Sequence, residues 1–292
     1  MQKTLKWIGV GLMAIIGILA ITIIVLSSSA NARLHKQYNI QPQTVAIPTD
    51  PASLEDGQHL VSIYCQGCHG EDLGGAEFFN QPSLAMVDTA NLTSGAGGVG
   101  SQYQDVDWVR AIRHGVDPQG RPLFIMPSGD FYHFSDEDLG KIIAYIKSVP
   151  PVDRATRDFS TALVGRTLMA VGAFGDVLSA EGIDHTGPRP VAPEPAISAA
   201  YGEYLVNTFG CRTCHGPALS GGQDPAPGAP LAPNLTRAGN LQNWSGQDFI
   251  SNIRARRSEW MPFESLSKMT NEQLQAIFMY LQSLPELETT TK

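Results

Sequence analysis

The stretch CRTCHGPALSGG, residues 211–222, decides how this chain is read. Cys211 and Cys214 stand three positions apart, with His215 directly behind them. CQGCHGEDLGG, beginning at Cys65, repeats the arrangement with Cys68 and His69, and the two boxes use all 4 cysteines. Disulfides are one use for cysteines in an exported protein, but a bond inside each pair leaves both adjacent histidines unexplained. A structural zinc site wants four ligands, and neither box has a second Cys or His pair nearby. Cys-x-x-Cys-His is the attachment signature of covalent haem. The thiols add to two vinyl groups as thioethers, and the neighbouring imidazole becomes the proximal iron ligand. The spacing predicts two covalently bound haem c groups.

Working outward from the boxes, one pattern is written twice. DGQHLVSIYC leads into the first box and YGEYLVNTFGC into the second. ANLT at 90–93 answers PNLT at 233–236, and DWVRAIR at 107–113 answers DFISNIR at 248–254. IMPS at 125–128 answers WMPF at 260–263, and SDEDLGKIIAYIKSVPP at 135–151 answers TNEQLQAIFMYLQSLPE at 270–286. Landmarks shared in one order mark a duplicated domain. The last segment predicts a helix in both copies. Ser135 with Asp138 and Thr270 with Gln273 suit an N-terminal capping box or its near equivalent. Leu139, Ile142, Ile143 and Ile146 recur at helical spacing, as do Leu274, Ile277, Phe278 and Leu281. Pro150 and Pro285 stop the helices. No run of alternating strand residues is convincing, so the domains read as mostly α, with long loops.

The chain has 292 residues and a formal net charge of -8, which argues against nucleic acid as a partner. Residues 7–26, WIGVGLMAIIGILAITIIVL, carry no charge. Twenty such residues in a helix span about 30 Å, the thickness of a bilayer core. Lys3 and Lys6 precede the run, so the positive-inside rule puts the chain beyond it outside the cytoplasm. Ala30-Asn31-Ala32 also suits a signal-peptide cleavage site, but signal cores usually run about 7 to 15 residues. An uncleaved anchor is the favoured reading, and both readings export the bulk of the chain.

Between the copies, TALVGRTLMAVGAFGDVLSAE at 161–181 is apolar and suits a helix, though Arg166 and Asp176 argue against a second span. It reads as a linker helix packed between the domains, or as a docking helix for a membrane partner. GPRPVAPEP after it predicts an extended, stiff segment.

On these residues the chain resembles class I cytochrome c domains: a short helix into Cys-x-x-Cys-His, a loop, a methionine often followed by proline, and a final helix. The resemblance implies a mostly α fold of two tandem class I cytochrome c domains with an N-terminal transmembrane helix. The implied parts are residues 1–32 as anchor or signal peptide, 50–151 as the first domain, 152–198 as linker and 199–287 as the second domain. It also implies Met126 and Met261 as sixth ligands beside His69 and His215, and Met/His ligation raises the reduction potential. Met86, Met169, Met269 and Met279 are the competitors. Metal-bound histidines donate their other ring nitrogen to a fixed acceptor. In related cytochromes this is a proline carbonyl, here Pro233. The first copy has Ala90 at that place, with Pro82 as the alternative. Tyr103 and Trp244, and Arg113 and Arg254, occupy equivalent places and are expected to contact haem propionates; core packing or surface ion pairs are their ordinary uses. His35, His59, His114, His133 and His185 read as ordinary surface residues, although His114 and His133 flank the Met126 loop as rival ligands. Asn91 and Asn234 begin triplets that match a glycosylation acceptor, but their equivalent places favour a loop role.

The fuller motif set resembles the multihaem cytochrome c subunits of membrane-bound alcohol and sugar-acid dehydrogenases, over roughly 55–150 and 199–286. Those subunits usually carry three haem domains, and this chain has two. The resemblance implies a membrane-anchored electron-transfer protein, not an enzyme, with its haem domains on the periplasmic side. It would relay electrons between a membrane or periplasmic redox enzyme and a respiratory acceptor. The partners implied are a membrane dehydrogenase, a quinol-oxidising complex or an oxidase. The alternatives are a cytochrome c subunit of a terminal oxidase and a dihaem enzyme such as a peroxidase, which needs one haem able to open its distal side. A thiosulfate dehydrogenase of the known kind needs an axial cysteine, and none is spare.

Overall fold

The computed structural model describes residues 2–223 and 228–290. It opens with α1 (Gln2–Leu34), the one helix among the described residues that is long and apolar enough to cross a membrane.

The first domain then runs α2 (Pro51–Tyr64), α3 (Gln66–His69), a hairpin of β1 (Glu77–Gln81) and β2 (Ala85–Asp88), α4 (Asp105–His114), α5 (Ser128–Phe131) and α6 (Asp136–Ser148). The linker contributes β3 (Ser160–Thr161), which pairs with β2, and α7 (Leu163–Ala170). The second domain has α8 (Ala199–Thr208), α9 (Cys211–His215), β4 (Gly222–Gln223), β5 (Leu231–Ala232), α10 (Gly246–Ala255), α11 (Phe263–Leu266) and α12 (Asn271–Ser283). The fold is mostly helical. Its short strands escape a period-two reading because three of the five are only two residues long.

The helices begin where side chains satisfy their free N–H groups. Asp50 accepts from the Ser53 amide at 3.0 Å, with Pro51 in the first turn. Ser135 accepts from the Asp138 amide at 3.1 Å. Thr270 and Gln273 form a reciprocal box at 3.2 and 2.8 Å. In each domain the first helix crosses the last, α2 on α6 and α8 on α12, and a glycine lets them meet. A Cβ on Gly57 would stand 2.3 Å from the Lys141 carbonyl oxygen, and one on Gly202 would stand 1.9 Å from that of Ala276. Leu139, Ile142, Ile143 and Ile146 of α6, and Leu274, Ile277 and Leu281 of α12, are buried behind these crossings. Each such side chain contributes about 1.5–3 kcal/mol of transfer free energy.

The two domains meet through equivalent elements. His59 of α2 bonds Gln273 of α12 at 2.8 Å, and Tyr204 of α8 donates to the Asp138 carboxylate of α6 at 2.5 Å. Tyr64 and Phe209, each next to a box, bring their rings to 5.9 Å. A Cβ on Gly67 of the first box would meet Ser265 of α11, and Thr213 of the second bonds Asp130 of α5 at 3.2 Å. The contacts are paired, as a pseudo-two-fold relation between duplicated domains requires.

The linker helix does not pack between the domains. It lies along the end of α1, where Arg166 donates to the Ser27 hydroxyl at 2.9 Å. Ala30, Met169, Val177 and Leu178 form a small core there. The proline-rich segment 187–195 has no helix or strand and is tied to the first domain by Arg189, which pairs with Asp136 at 2.6 Å.

Candidate haem sites

Each box starts at the end of a helix, so its cysteines and histidine follow on a short helical turn, α3 or α9. His69 donates through Nδ1 to the Ala90 carbonyl at 2.8 Å, and His215 does the same to Pro233 at 2.8 Å. A carbonyl can only accept, so these bonds put the proton on Nδ1 and leave Nε2 with its lone pair. Burial lowers both imidazole pKa values, against the opposing pull of the carbonyl bonds, and keeps the rings neutral. Ala90 therefore serves despite the lost proline, and Pro82 stands exposed in the β1–β2 turn.

Beyond each histidine the chain turns back identically. Leu73 and Leu219 sit at φ 55 and 58, and Gly75 and Gly221 donate to the His69 and His215 carbonyls at 2.9 and 3.0 Å. Asn91 and Asn234 are buried and span the next junction. The Asn91 amide donates to Val152 and Arg154, and its Oδ1 accepts from Thr93. That of Asn234 donates to Leu287 and Thr289, and its Oδ1 accepts from Thr236. Both asparagines thus tie the segment after the last helix to the haem loop, and neither presents a glycosylation site.

Met126 lines one cavity with Cys65, Cys68 and His69, and Met261 lines another with Cys211, Cys214 and His215. Met86, Met169, Met269 and Met279 line neither. Met269 is 1% exposed in the second core, and Met279 faces outward on α12. His114 and His133 are also outside both linings; His114 Nδ1 instead meets His185 Nδ1 at 3.1 Å.

A family model described as "Cytochrome C oxidase, cbb3-type, subunit III" matches residues 52–146 and again 198–281. The chain belongs to this cytochrome c family. With it come two covalently bound haem c groups, one per matched segment, and the chemistry of electron transfer. Two relatives carry the name "Alcohol dehydrogenase (quinone), cytochrome c subunit", from Gluconacetobacter polyoxogenes and Komagataeibacter europaeus. Each is 28% identical over 276 residues, covering 81% of this chain and 57% of its own length. A "Diheme cytochrome c-type" protein of Cereibacter sphaeroides is 26% identical over 198 residues, covering 61% of this chain and 64% of its own length. The chain thus spans little more than half of the first two relatives. Among solved structures, reduced cytochrome c4 from Pseudomonas stutzeri matches at 20% identity and a TM-score of 0.22, over 80% of this chain and 98% of that one.

The cavities of this cytochrome suit the group. Their walls are apolar side chains, such as Ile112, Phe131 and Ile142 in the first and Phe249, Leu266 and Ile277 in the second. Burial pushes the Cys65 and Cys211 thiols up to about 12, and neither is in a disulfide. Among the described residues no cluster of three metal-ligating side chains stands ready for a bare ion.

One polar atom lacks a protein partner at the first cavity. The Trp108 indole Nε1 is buried and unbonded, in a side chain that lines the wall. A haem carboxylate bound in this cavity would offer it an acceptor. Tyr103 packs edge-on against Trp108 at 5.2 Å, and both Tyr103 and its counterpart Trp244 line their cavities.

The equivalent arginines do not line them. Arg113 donates to Phe134 O at 2.8 Å and to Asp136 at 2.7 Å; Arg254 donates to Met269 O at 2.7 Å and to Asn271 at 3.1 Å. Each fastens the start of its domain's last helix, and Arg113 Nε is left buried without a partner. The basic residue on the second cavity wall is Arg256, with its guanidinium 6.0 Å from the Trp244 ring. Neither Trp108 nor Arg256 stands out in the sequence. Trp108 reads as one more apolar residue of an amphipathic helix, and Arg256 falls where the first copy has Gly115.

Proposed function

We propose that this cytochrome relays single electrons through two haems closed on both axial sides, His69 with Met126 and His215 with Met261. The observation that carries the reading is the pairing, in both cavities, of a neutral box histidine with a Met-Pro methionine. Bound there, haem supplies a ferrous/ferric couple whose potential is set by ligand, burial and hydrogen bonds. The chain's own residues hold the imidazole by a fixed Nδ1 bond, offer a thioether and line the site with apolar groups. A fully ligated site offers a substrate no coordination position.

The anchor reading of α1 supports a relay held at a membrane, with its haem domains outside the cytoplasm. Its partner on the donor side is a membrane redox enzyme; the relatives named as cytochrome c subunits of a quinone-linked alcohol dehydrogenase support that choice. Tyr64 and Phe209 in contact between the two boxes support passage of the electron from one domain to the other.

The test is spectroscopic. Ferric wild-type protein should show the weak far-red band of sulfur–iron ligation, and Met126→Ala and Met261→Ala should each remove about half of it. Ready carbon monoxide binding by the reduced wild type at either haem would overturn the closed relay.

A further inference from the structure

We propose that the linker around α7 is a second membrane-contact surface, seated in the headgroup layer of the bilayer that α1 crosses. The inference rests on the reading of α1 as a span. Arg166 of α7 meets Ser27, one residue beyond the uncharged run 7–26. Glu181, past the end of α7, holds Arg33 with bonds of 2.6 to 3.1 Å, two turns further along α1. The linker therefore climbs beside α1 in the same direction. At 1.5 Å per residue, Leu163 and Val164 lie about one turn below Arg166, level with the last turn of the apolar run.

That level explains an otherwise costly surface. The inner side of α7 is already satisfied, because Met169 is buried with Ala30, Val177 and Leu178. Leu163 and Val164 point away from that core at 48% and 53% exposure, with Phe159 at 39% and Val171 at 60% on either side. Apolar side chains left in water beside the end of a span have a nearby solvent that suits them, the boundary of headgroups and acyl chains, where interfacial helices bury about 5–10 Å. The cations of the segment are partnered: Arg166 also donates to Thr161 O at 2.8 Å, and Arg33 pairs with Glu181. The exposed carboxylates Asp158 and Asp176 lie outside the apolar stretch, one beyond each end.

The consequence is a fixed orientation. Ile125 N donates to Val177 O at 2.8 Å, and Ser179 Oγ donates to Met126 O at 2.9 Å. The segment that rests on the bilayer thus runs directly on into the one that holds the first methionine loop. The first haem site is the membrane-proximal one. In the second domain the corresponding loop is held by its own Ser258, which accepts from Trp260 and Met261 amides, and Trp260 is left 40% exposed.

Full-length holoprotein reconstituted in phosphatidylethanolamine/phosphatidylglycerol vesicles containing a trace lipid with an acyl-chain diazirine tests this directly. After photolysis and peptide mapping, adducts are expected on residues 7–26 and on 159–171, with α10 of the second domain unlabelled. Leu163→Asp with Val164→Asp should cut the linker adducts several-fold while leaving those on α1 and the haem c absorbance unchanged. Labelling of α1 with none on 159–171 overturns the proposal and hands the surface to a protein partner. An unlabelled α1 sinks the span itself, and the proposal with it.

Discussion

The two helix crossings give the most quantitative forecast. Gly202→Ala puts a methyl carbon 1.9 Å from the Ala276 carbonyl oxygen, 2.5 Å from its carbon and 2.8 Å from Tyr280 Cβ. Ordinary contact between heavy atoms is about 3.5–4.0 Å, so α8 and α12 must part by roughly 1.5 Å or more. Backbone atoms cannot swing aside as a side-chain tip can. Overpacking of this kind costs about 1–3 kcal/mol, and the better helix propensity of alanine returns up to about 1 kcal/mol. The overlap is with backbone, which puts the cost at the upper end of that range, so the net loss expected is about 2 kcal/mol in the second domain. Gly57→Ala meets Lys141 O at 2.3 Å and should cost the first domain less. There is also a functional readout. α8 leads into the box at Cys211 and α12 follows the Met261 loop, so parting them shifts His215 against Met261 across the cavity they share. Guanidinium titrations of oxidised holoprotein, followed at the far-red band, should show an earlier loss of half the signal in Gly202→Ala. A variant as stable as the wild type, with its band intact, would refute the close-crossing argument.

Two further outcomes are expected. Trp108→Phe keeps the ring packing but removes the unbonded Nε1 from the first cavity; redox titration should find one couple lowered by on the order of tens of millivolts and the other unmoved. Both couples unmoved would mean that Nε1 reaches no haem group. Asp130 lies at the domain interface beside Thr213, and burial raises its pKa to about 6 from 3.8. The folded state then binds the proton that the unfolded state releases, so this group's stabilisation is full below about pH 4 and is lost as pH rises through about 6. Asp130→Asn should raise stability at pH 7.5 by about 1–3 kcal/mol and flatten this part of the profile. Denaturant curves at pH 4.5 and 7.5 that move in parallel for variant and wild type would refute the shift.

The cytochrome was legible where chemistry demands particular side chains at short, fixed spacing. Covalent attachment needs two thiols at fixed spacing, with the box histidine directly behind them, and Met126 and Met261 line the same cavities as those boxes. Helix starts were equally legible at Ser135 and Thr270, because a cap satisfies amides only three residues away. The duplication then supplied every landmark twice. Arg113 and Arg254 show the limit. Their equivalence was visible, but their job was not, since it depends on carbonyls 21 and 15 residues away in the chain.

The sequence by itself determined two Cys-x-x-Cys-His sites, their Met-Pro loops, helical domains around them and an apolar amino-terminal helix. Only the tertiary structure decided that Ala90 replaces a proline as acceptor, that His59 and Tyr204 join the domains, and that α7 leaves its place between them to lie along α1. The physical reason is range. Ligation and capping are settled within a few residues, whereas which donor finds which distant acceptor, and which apolar face is covered, depends on how the whole chain closes on itself.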